Sequence, residues 1–365
     1  MKRIRILFLA DCLRRGGSER QLEALLRSLV EADKYEIKLL LRNNIVEFEL
    51  PESDYYKTIA LDEKLGKAAY YKVFKQQLKV FKPSIVHSWE KTTATIASVA
   101  KLFGDRSFTL IDGTSRFSRP LSRRKSTYWV FQFNHLIADI VVGNSLASLA
   151  VHGHQPGKKY RHIPNGIDLA RFPVGHLPRP DLRETSIKLV MVANFARAKD
   201  QSLLISSACT LLDKGFELEV LLIGDGPFRE TIQNRIPGKH RDKFEFTGKI
   251  AEVDSKIEGS DIGVLLNNPG HAEGMSNAIM EYMTAGLPVI CTDAGSNPEL
   301  VENRVNGYTV PYSCSESLEK AMVSLMTDSD LRKRMGTKSR EKAEAIFPIE
   351  KMVQSYKSLY ESLVR

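Results

Sequence analysis

Cysteine is scarce in this chain. The four present, Cys12, Cys209, Cys291 and Cys314, are scattered with no C-x-x-C spacing. That usage suggests reduced thiols in a cytoplasmic protein and gives no support for a thiolate metal site. Long apolar runs are missing as well. No stretch reaches the ~18 uninterrupted apolar residues of a membrane-spanning helix. The opening run RIRILFLA is too short for a signal peptide and reads as a buried first strand. There is no short-period repeat and no low-complexity tract. The one D-x-D, Asp328–Ser329–Asp330, precedes the basic run LRKRM and reads as a helix cap, so no metal ligand set is expected. The run GDGPFR lacks the G-x-G-x-x-G spacing of a dinucleotide fingerprint, which counts against an NAD-dependent oxidoreductase.

What is present is ordinary in amount and uneven in place. The 365 residues, 42% apolar and 27% charged, are enough for two domains with separate cores. The net charge of +9 sits in one half. Residues 1–173 hold 29 Lys and Arg against 17 Asp and Glu, or +12; residues 174–365 hold 24 against 27, or −3. Such asymmetry is either solvated surface or the mark of an anionic partner for the first half, a nucleic acid or a membrane surface.

Short apolar runs alternate with helical patterns throughout, which indicates parallel, helix-covered sheets. IRILFLAD (4–11) precedes a helical stretch with Leu22, Leu25, Leu26 and Leu29 on one face. Further strand candidates lie at 36–43, 84–89, 108–113, 139–145 and 160–166. Residues 172–186 hold three prolines without periodicity and read as a linker. The pattern restarts at 187–195 and continues through 217–227, 244–250, 261–268, 287–295 and 307–311. The tail 349–365 is an amphipathic helix. The expected architecture is α/β, with two doubly wound parallel-sheet domains facing across a cleft. Residues 1–173 form the first, with the tail helix packed back on it, and 174–348 the second.

The stretch HAEGMSNAIMEYMTAGLPV carries two acids, Glu273 and Glu281. A helix is expected over 277–285, starting near Ser276 or Asn277, both good cap types. Its first amides point back into the loop Glu273–Ser276 and make an anion site, reinforced by the helix dipole. A fully helical spacing of eight would put the acids ~12 Å apart, too far to share one proton or one metal ion. They could instead grip two polyhydroxyl groups on either side of a diphosphate, since a carboxylate accepts hydrogen bonds from vicinal hydroxyls. The plainer alternative is a local pairing of Glu281 and a solvated Glu273.

The longer run EGMSNAIMEYMTAGLPVICTDAGSNPELVENRVNGYTVP resembles the signature of the retaining GT-B glycosyltransferases of family 4, the glycosyl transferases group 1. Glu273, Gly274, Glu281, Gly286, Pro288, Val289, Pro298, Glu299, Val301, Asn306 and Gly307 all fit, while Tyr282 stands where Ala is usual. The resemblance extends over most of the chain. GGSERQ, with Gly16 and Gly17, is similar to the family's first loop; PSIVHSW, IPNGID, VANFARAKD and LLIGDGPFR resemble later ones.

The resemblance implies a nucleotide-sugar donor, linked to UDP or GDP, and no cofactor or metal. Glu281 would bind the ribose hydroxyls and Glu273 the hexose hydroxyls. The amides of Met275, Ser276 and Asn277 would lie near the sugar and phosphates, with Gly274 allowing close approach. Lys199 would meet the charge on the departing diphosphate. Gly16, Gly17, Asn194 and Arg197 would lie on the donor side, and Gly248, in the turn Thr247–Ile250, would face the base. His87, Asp112 and Arg116 are candidate acceptor or sugar contacts; His87 is equally well read as packed structurally at a strand end. Two positions depart from the family pattern. Asn194 stands where many members have Arg, with Arg197 nearby but shifted, and Asp112 stands where a His is common.

The segment 115–133 carries Arg116, Arg119, Arg123, Arg124 and Lys125, followed by Trp129, Phe131 and Phe133. A basic loop beside aromatics suits an anionic membrane surface, or a solvated loop leading into a core helix. The expected activity is transfer of a hexose to a lipid-linked or oligosaccharide acceptor in surface polysaccharide biosynthesis. Such a protein would be cytoplasmic, either free or peripheral at the inner face of the plasma membrane, with no nucleic-acid partner. The alternative is a non-catalytic nucleotide-sugar or glycan-binding protein on the same fold.

Overall fold

The computed structural model describes residues 3–14, 16–60, 66–104, 106–115, 124–173 and 186–364. Arg116, Arg119 and Arg123 lie outside these. The chain divides into two compact units. The first takes the chain up to Gly166 together with the helix Ile349–Ser362; the second is Ile167–Pro348.

The first unit is built on a seven-stranded sheet, parallel throughout. Its strands are β1 (Ile4–Ala10), β2 (Tyr35–Leu41), β3 (Tyr56–Ile59), β4 (Ile85–Ser88), β5 (Thr109–Ser115), β6 (Ile140–Gly143) and β7 (Tyr160–His162), in the order β3-β2-β1-β4-β5-β6-β7. Alternate residues of β1 feed opposite cores. Ile4, Ile6, Phe8 and Ala10 pack with the helices Gly17–Glu31 and Ile349–Ser362. Leu7 and Leu9 pack with Lys67–Phe81 and Lys91–Leu102. Both faces are therefore covered, which is why β1 reads as a continuous apolar run. The half-exposed edge strand β3, Tyr-Lys-Thr-Ile, carries no such run and was not expected from the sequence.

The second unit repeats the plan with six parallel strands: β8 (Ile187–Val192), β9 (Leu218–Ile223), β10 (Phe244–Gly248), β11 (Ile262–Leu265), β12 (Val289–Thr292) and β13 (Gly307–Val310). Their order is β10-β9-β8-β11-β12-β13. The unit begins at Ile167, earlier than the linker at 172–186 suggests, because Ile167 and Phe172 already sit in its core. In each sheet the strand order reverses once, between β1 and β4 and between β8 and β11. A doubly wound sheet opens a crevice at the carboxyl end of such a switch point.

Three imidazoles meet inside the first unit. His135, on the helix Ser126–Ile137, is buried, with Nδ1 3.3 Å from His154 Nε2. His152 packs edge-on against His135 and tilted on Phe131, and His154 stacks on Tyr160 at 3.9 Å. Burial, then the neighbouring His154 and Lys159, pushes His135 down to about 3. Burial, then the other two imidazoles, pushes His152 down to about 4 against the opposing pull of Asp112. These groups stay neutral when folded, whereas the unfolded chain takes up their protons below about pH 6.5. Stability is thus complete above pH 6.5 and falls as the pH drops toward the folded values. In urea unfolding, His135→Gln is expected to weaken the dependence of stability on pH between about 7.5 and 5, each buried imidazole contributing roughly 1–2 kcal/mol of it. An unchanged dependence in that variant would show that the cluster does not set it.

Candidate functional site

At the switch point of the second sheet, the loop leaving β8 (193–200) and the loop leaving β11 (266–276) run side by side. Asp200 N–H donates to Leu266 O at 3.0 Å, and Asn268 N–H to Ala198 O at 3.0 Å. The Asn268 side-chain amide donates to Arg197 O at 3.0 Å and to Lys199 O at 2.8 Å. The acidic loop is pinned from its other side as well. Asn267 N–H donates to Thr292 Oγ1 at 2.8 Å and Ser296 N–H to Glu273 O at 3.3 Å. Gly295, at φ +60°, lies so close that a Cβ there would fall 2.4 Å from Glu273 O. Only glycine meets both demands.

Within this frame Lys199 Nζ lies 2.6 Å from Glu273 Oε1. The lysine is 10% exposed and the glutamate 39%, so the pair opens to solvent from the acid's side. The helix Asn277–Thr284 begins immediately beyond; Ser276 stands at its N-cap position without a side-chain cap bond, and Gly274, Met275 and Ser276 are buried. One turn inside it, the Glu281 side chain is 6% exposed and takes Arg171 Nη2 on Oε1 at 2.9 Å.

Tyr282 explains its own departure from the family pattern. Its ring fills the space above Gly263 of β11, where a Cβ would fall 2.4 Å from the ring. Its hydroxyl accepts from Val192 N–H at 2.6 Å and donates to Val264 O at 3.4 Å, tying β8 to β11 just before the loops of the site.

The loops leaving β8, β9 and β10 are joined too. Gly224 N–H donates to Gly248 O at 2.9 Å, and Phe195 N–H to Asp225 O at 3.0 Å. Gly224 and Gly226, at φ +138° and +155°, pass so close to the β8 loop that a Cβ would strike Ala193 O or Phe195 O. Asn194 and Arg197 are exposed along this rim, and Gly248, at φ +70°, is buried at the end of β10.

Lys199, Glu273, Glu281, Gly274, Met275, Ser276, Asn277, Asn194, Arg197 and Gly248 thus all belong to the second unit, on loops at the carboxyl ends of its strands or on the helix they lead into. The first-unit candidates stand differently. Gly16 caps the helix Gly17–Glu31, with the Glu19 carboxylate folded back over it; a Cβ on Gly16 would fall 2.4 Å from Glu19 Oε2. His87 is fully buried, its Nδ1 2.8 Å from Tyr360 Oη and its ring among Phe8, Trp89 and Tyr356. It packs between the sheet and the helix Ile349–Ser362, the structural one of the two readings its sequence position allowed. Asp112 is buried as well, with Oδ1 accepting from Thr114 N–H at 2.9 Å. Phe131 turns inward onto His152, whereas Trp129 and Leu136 are exposed.

Three residues that organise the site were not singled out by sequence: Arg171, Asn268 and Gly295. Their roles depend on side-chain amides and tight backbone approaches between loops far apart in the chain, which no local spacing reveals. Among the described residues, no three His, Cys, Asp or Glu could hold a metal ion. Asp328 caps the helix Ser329–Ile346, accepting from Leu331 N–H at 2.8 Å. Among the described residues, no helix is long and apolar enough to cross a membrane.

Two parallel-sheet units of this kind define the GT-B fold. A solved structure of Anabaena HepE, in complex with UDP and glucose, superposes with a TM-score of 0.78 over 98% of this chain and 99% of that one, at 18% identity. Residues 177–342, most of the second unit, match the model of the glycosyl transferases group 1. It is 26% identical to the N-acetyl-alpha-D-glucosaminyl L-malate synthase of Bacillus anthracis over 50% of this chain; that match spans 48% of the Bacillus protein, about half its length. It is 24% identical to the UDP-Gal:alpha-D-GlcNAc-diphosphoundecaprenol alpha-1,3-galactosyltransferase of Escherichia coli, over 80% of this chain and 78% of that protein.

Proposed function

We propose that the protein is a glycosyltransferase that moves a hexose from a UDP- or GDP-linked donor to a lipid-linked or oligosaccharide acceptor of surface polysaccharide synthesis. Transfer retains the anomeric configuration and uses no metal ion in this reading. The observation that carries it is the Lys199–Glu273 pair at the switch point of the second sheet, beside the start of a helix. The match to the family model over the same unit and the activities of the relatives support it.

The roles follow from charge and position. The donor diphosphate meets the helix N-terminus and Lys199, a fixed cation where negative charge grows as the sugar–phosphate bond breaks. Glu273, partly open to solvent, accepts hydrogen bonds from the hexose hydroxyls, and Glu281 accepts them from the ribose. Gly248 and its turn face the base, while Asn194 and Arg197 border the phosphates. The acceptor oxygen bonds to the anomeric carbon on the face the diphosphate leaves, and its proton passes to the departing phosphate oxygen. Because Lys199 and Glu273 neutralise each other before donor arrives, both side chains are held in place at little electrostatic cost.

Lys199→Ala and Glu273→Ala are each expected to lower turnover about a hundredfold or more, with the fold retained by circular dichroism. Release of sugar or its transfer from a panel of UDP- and GDP-hexoses is the measurement. Wild-type turnover in both variants would remove the site assignment. Binding of a donor with neither release nor transfer, in wild type, would instead favour the non-catalytic reading.

The first unit offers a surface for the acceptor's membrane. Trp129 and Leu136, 61% and 74% exposed, lie seven residues apart on one helix and so share a face, beside Arg124 and Lys125. An anionic bilayer suits this combination. Binding to anionic vesicles should weaken with salt and fall in Trp129→Ala. Equal binding to neutral vesicles, or none, would exclude it.

A further inference from the structure

A carboxylate as buried as that of Glu281 requires a partner. One partner is supplied from outside its helix, by a residue more than a hundred positions earlier. Arg171 ends the short turn Leu169–Arg171, which is capped by Asp168 through a 2.9 Å bond from Ala170 N–H. It comes just after the chain enters the second unit at Ile167. Its guanidinium is held firmly on the other side by Asp254: Nε donates to Oδ2 at 2.9 Å, and Nη2 reaches Oδ1. The same Nη2 donates to Glu281 Oε1. Asp254 stands in the helix Val253–Glu258, directly after the turn Thr247–Ile250. The following residue, Phe172, is sealed in the core, and its carbonyl accepts from Arg340 Nη1 at 2.6 Å. The base of Arg171 is therefore fixed as firmly as its head.

The arrangement is one cation between two acids from different elements. A planar guanidinium with five donors can be shared in this way; an ammonium gives no such fork. Burial opposes the charge on Arg171, but the bond to Asp254 and the fields of both acids outweigh it, so the group stays charged.

We propose that Arg171 is a positioning residue for nucleoside recognition: by holding Oε1 it fixes the rotation of the Glu281 carboxylate, so that the acid presents its acceptors to the vicinal ribose hydroxyls. Asp254 completes the device by anchoring Arg171 to the element beside the base. This rests on the reading of Glu281 as the ribose contact. It adds that the acid alone is insufficient, and that selectivity for ribose over deoxyribose is set by a residue remote in sequence.

The test is calorimetric binding of UDP, GDP and their 2′-deoxy counterparts to the full chain. The wild-type protein should prefer the ribo form of its nucleotide by about tenfold or more, the scale of a hydrogen bond to a charged group. Glu281→Gln should lose most of that preference. Arg171→Ala should lose it too, while its affinity for the 2′-deoxy form stays within about threefold of wild type. Arg171→Lys and Asp254→Asn, which disturb the arrangement less, should fall between. A merely structural arginine would weaken both nucleotides alike. A full ribose preference kept in Arg171→Ala, or in both milder variants should that one not fold, while Glu281→Gln loses it, overturns the proposal and leaves the site reading standing. No ribose preference in the wild-type protein overturns both.

Discussion

The ion pair between Lys199 and Glu273 depends on a constraint that precedes it, the reversal of strand order between β8 and β11. A parallel sheet delivers every connecting loop to one edge, and the reversal sends the flanking helices to opposite faces. Two loops are left facing each other with no helix between them. They are then knitted by Asn268, by backbone bonds across the gap and by Gly295 beneath the acid's carbonyl. Lysine and glutamate side chains are long, and their freedom is costly to restrain at an exposed surface. Here the backbone on both sides is already fixed, so little freedom remains to be lost.

The second acid repeats the principle with a different cation. Glu273 opens to solvent and carries Lys199; Glu281 is buried and carries Arg171, itself backed by Asp254. Between them lies the start of a helix, whose amides favour negative charge. The unit thus presents acceptors at two ends and positive character in the middle. That distribution suits a ligand with hydroxyls at both ends and a diphosphate between them. In the first unit His87 and Asp112 are packed inside, and the aromatic and basic face near Trp129 is exposed.

Much of this was legible in the sequence. The strands announced themselves as apolar runs because both faces of each sheet are covered, and the helix from Asn277 was marked by a cap-type residue at Ser276 and by Gly286 and Pro288 beyond it. What escaped was of two kinds. The edge strand β3 has no core on its outer side and so no apolar run. The tertiary contacts that orient the acids join residues without any common period: Arg171 to Glu281, Asn268 to Lys199, and Gly263 to Tyr282. His87 stayed open between two readings for a related reason. A polar residue ending a buried strand looks the same in sequence whether it faces a ligand or, as here, a tyrosine from the tail helix.

The central claim is that the second unit binds a nucleotide sugar along the line from Glu281 to Glu273. Hydrogen exchange of the backbone amides, with and without UDP- and GDP-sugars, tests it most directly. The account requires that one donor slow exchange at Gly274–Asn277 and at Lys249–Ile250 together. Slowed exchange confined to residues before Ile167, or at neither segment with any donor, would contradict it.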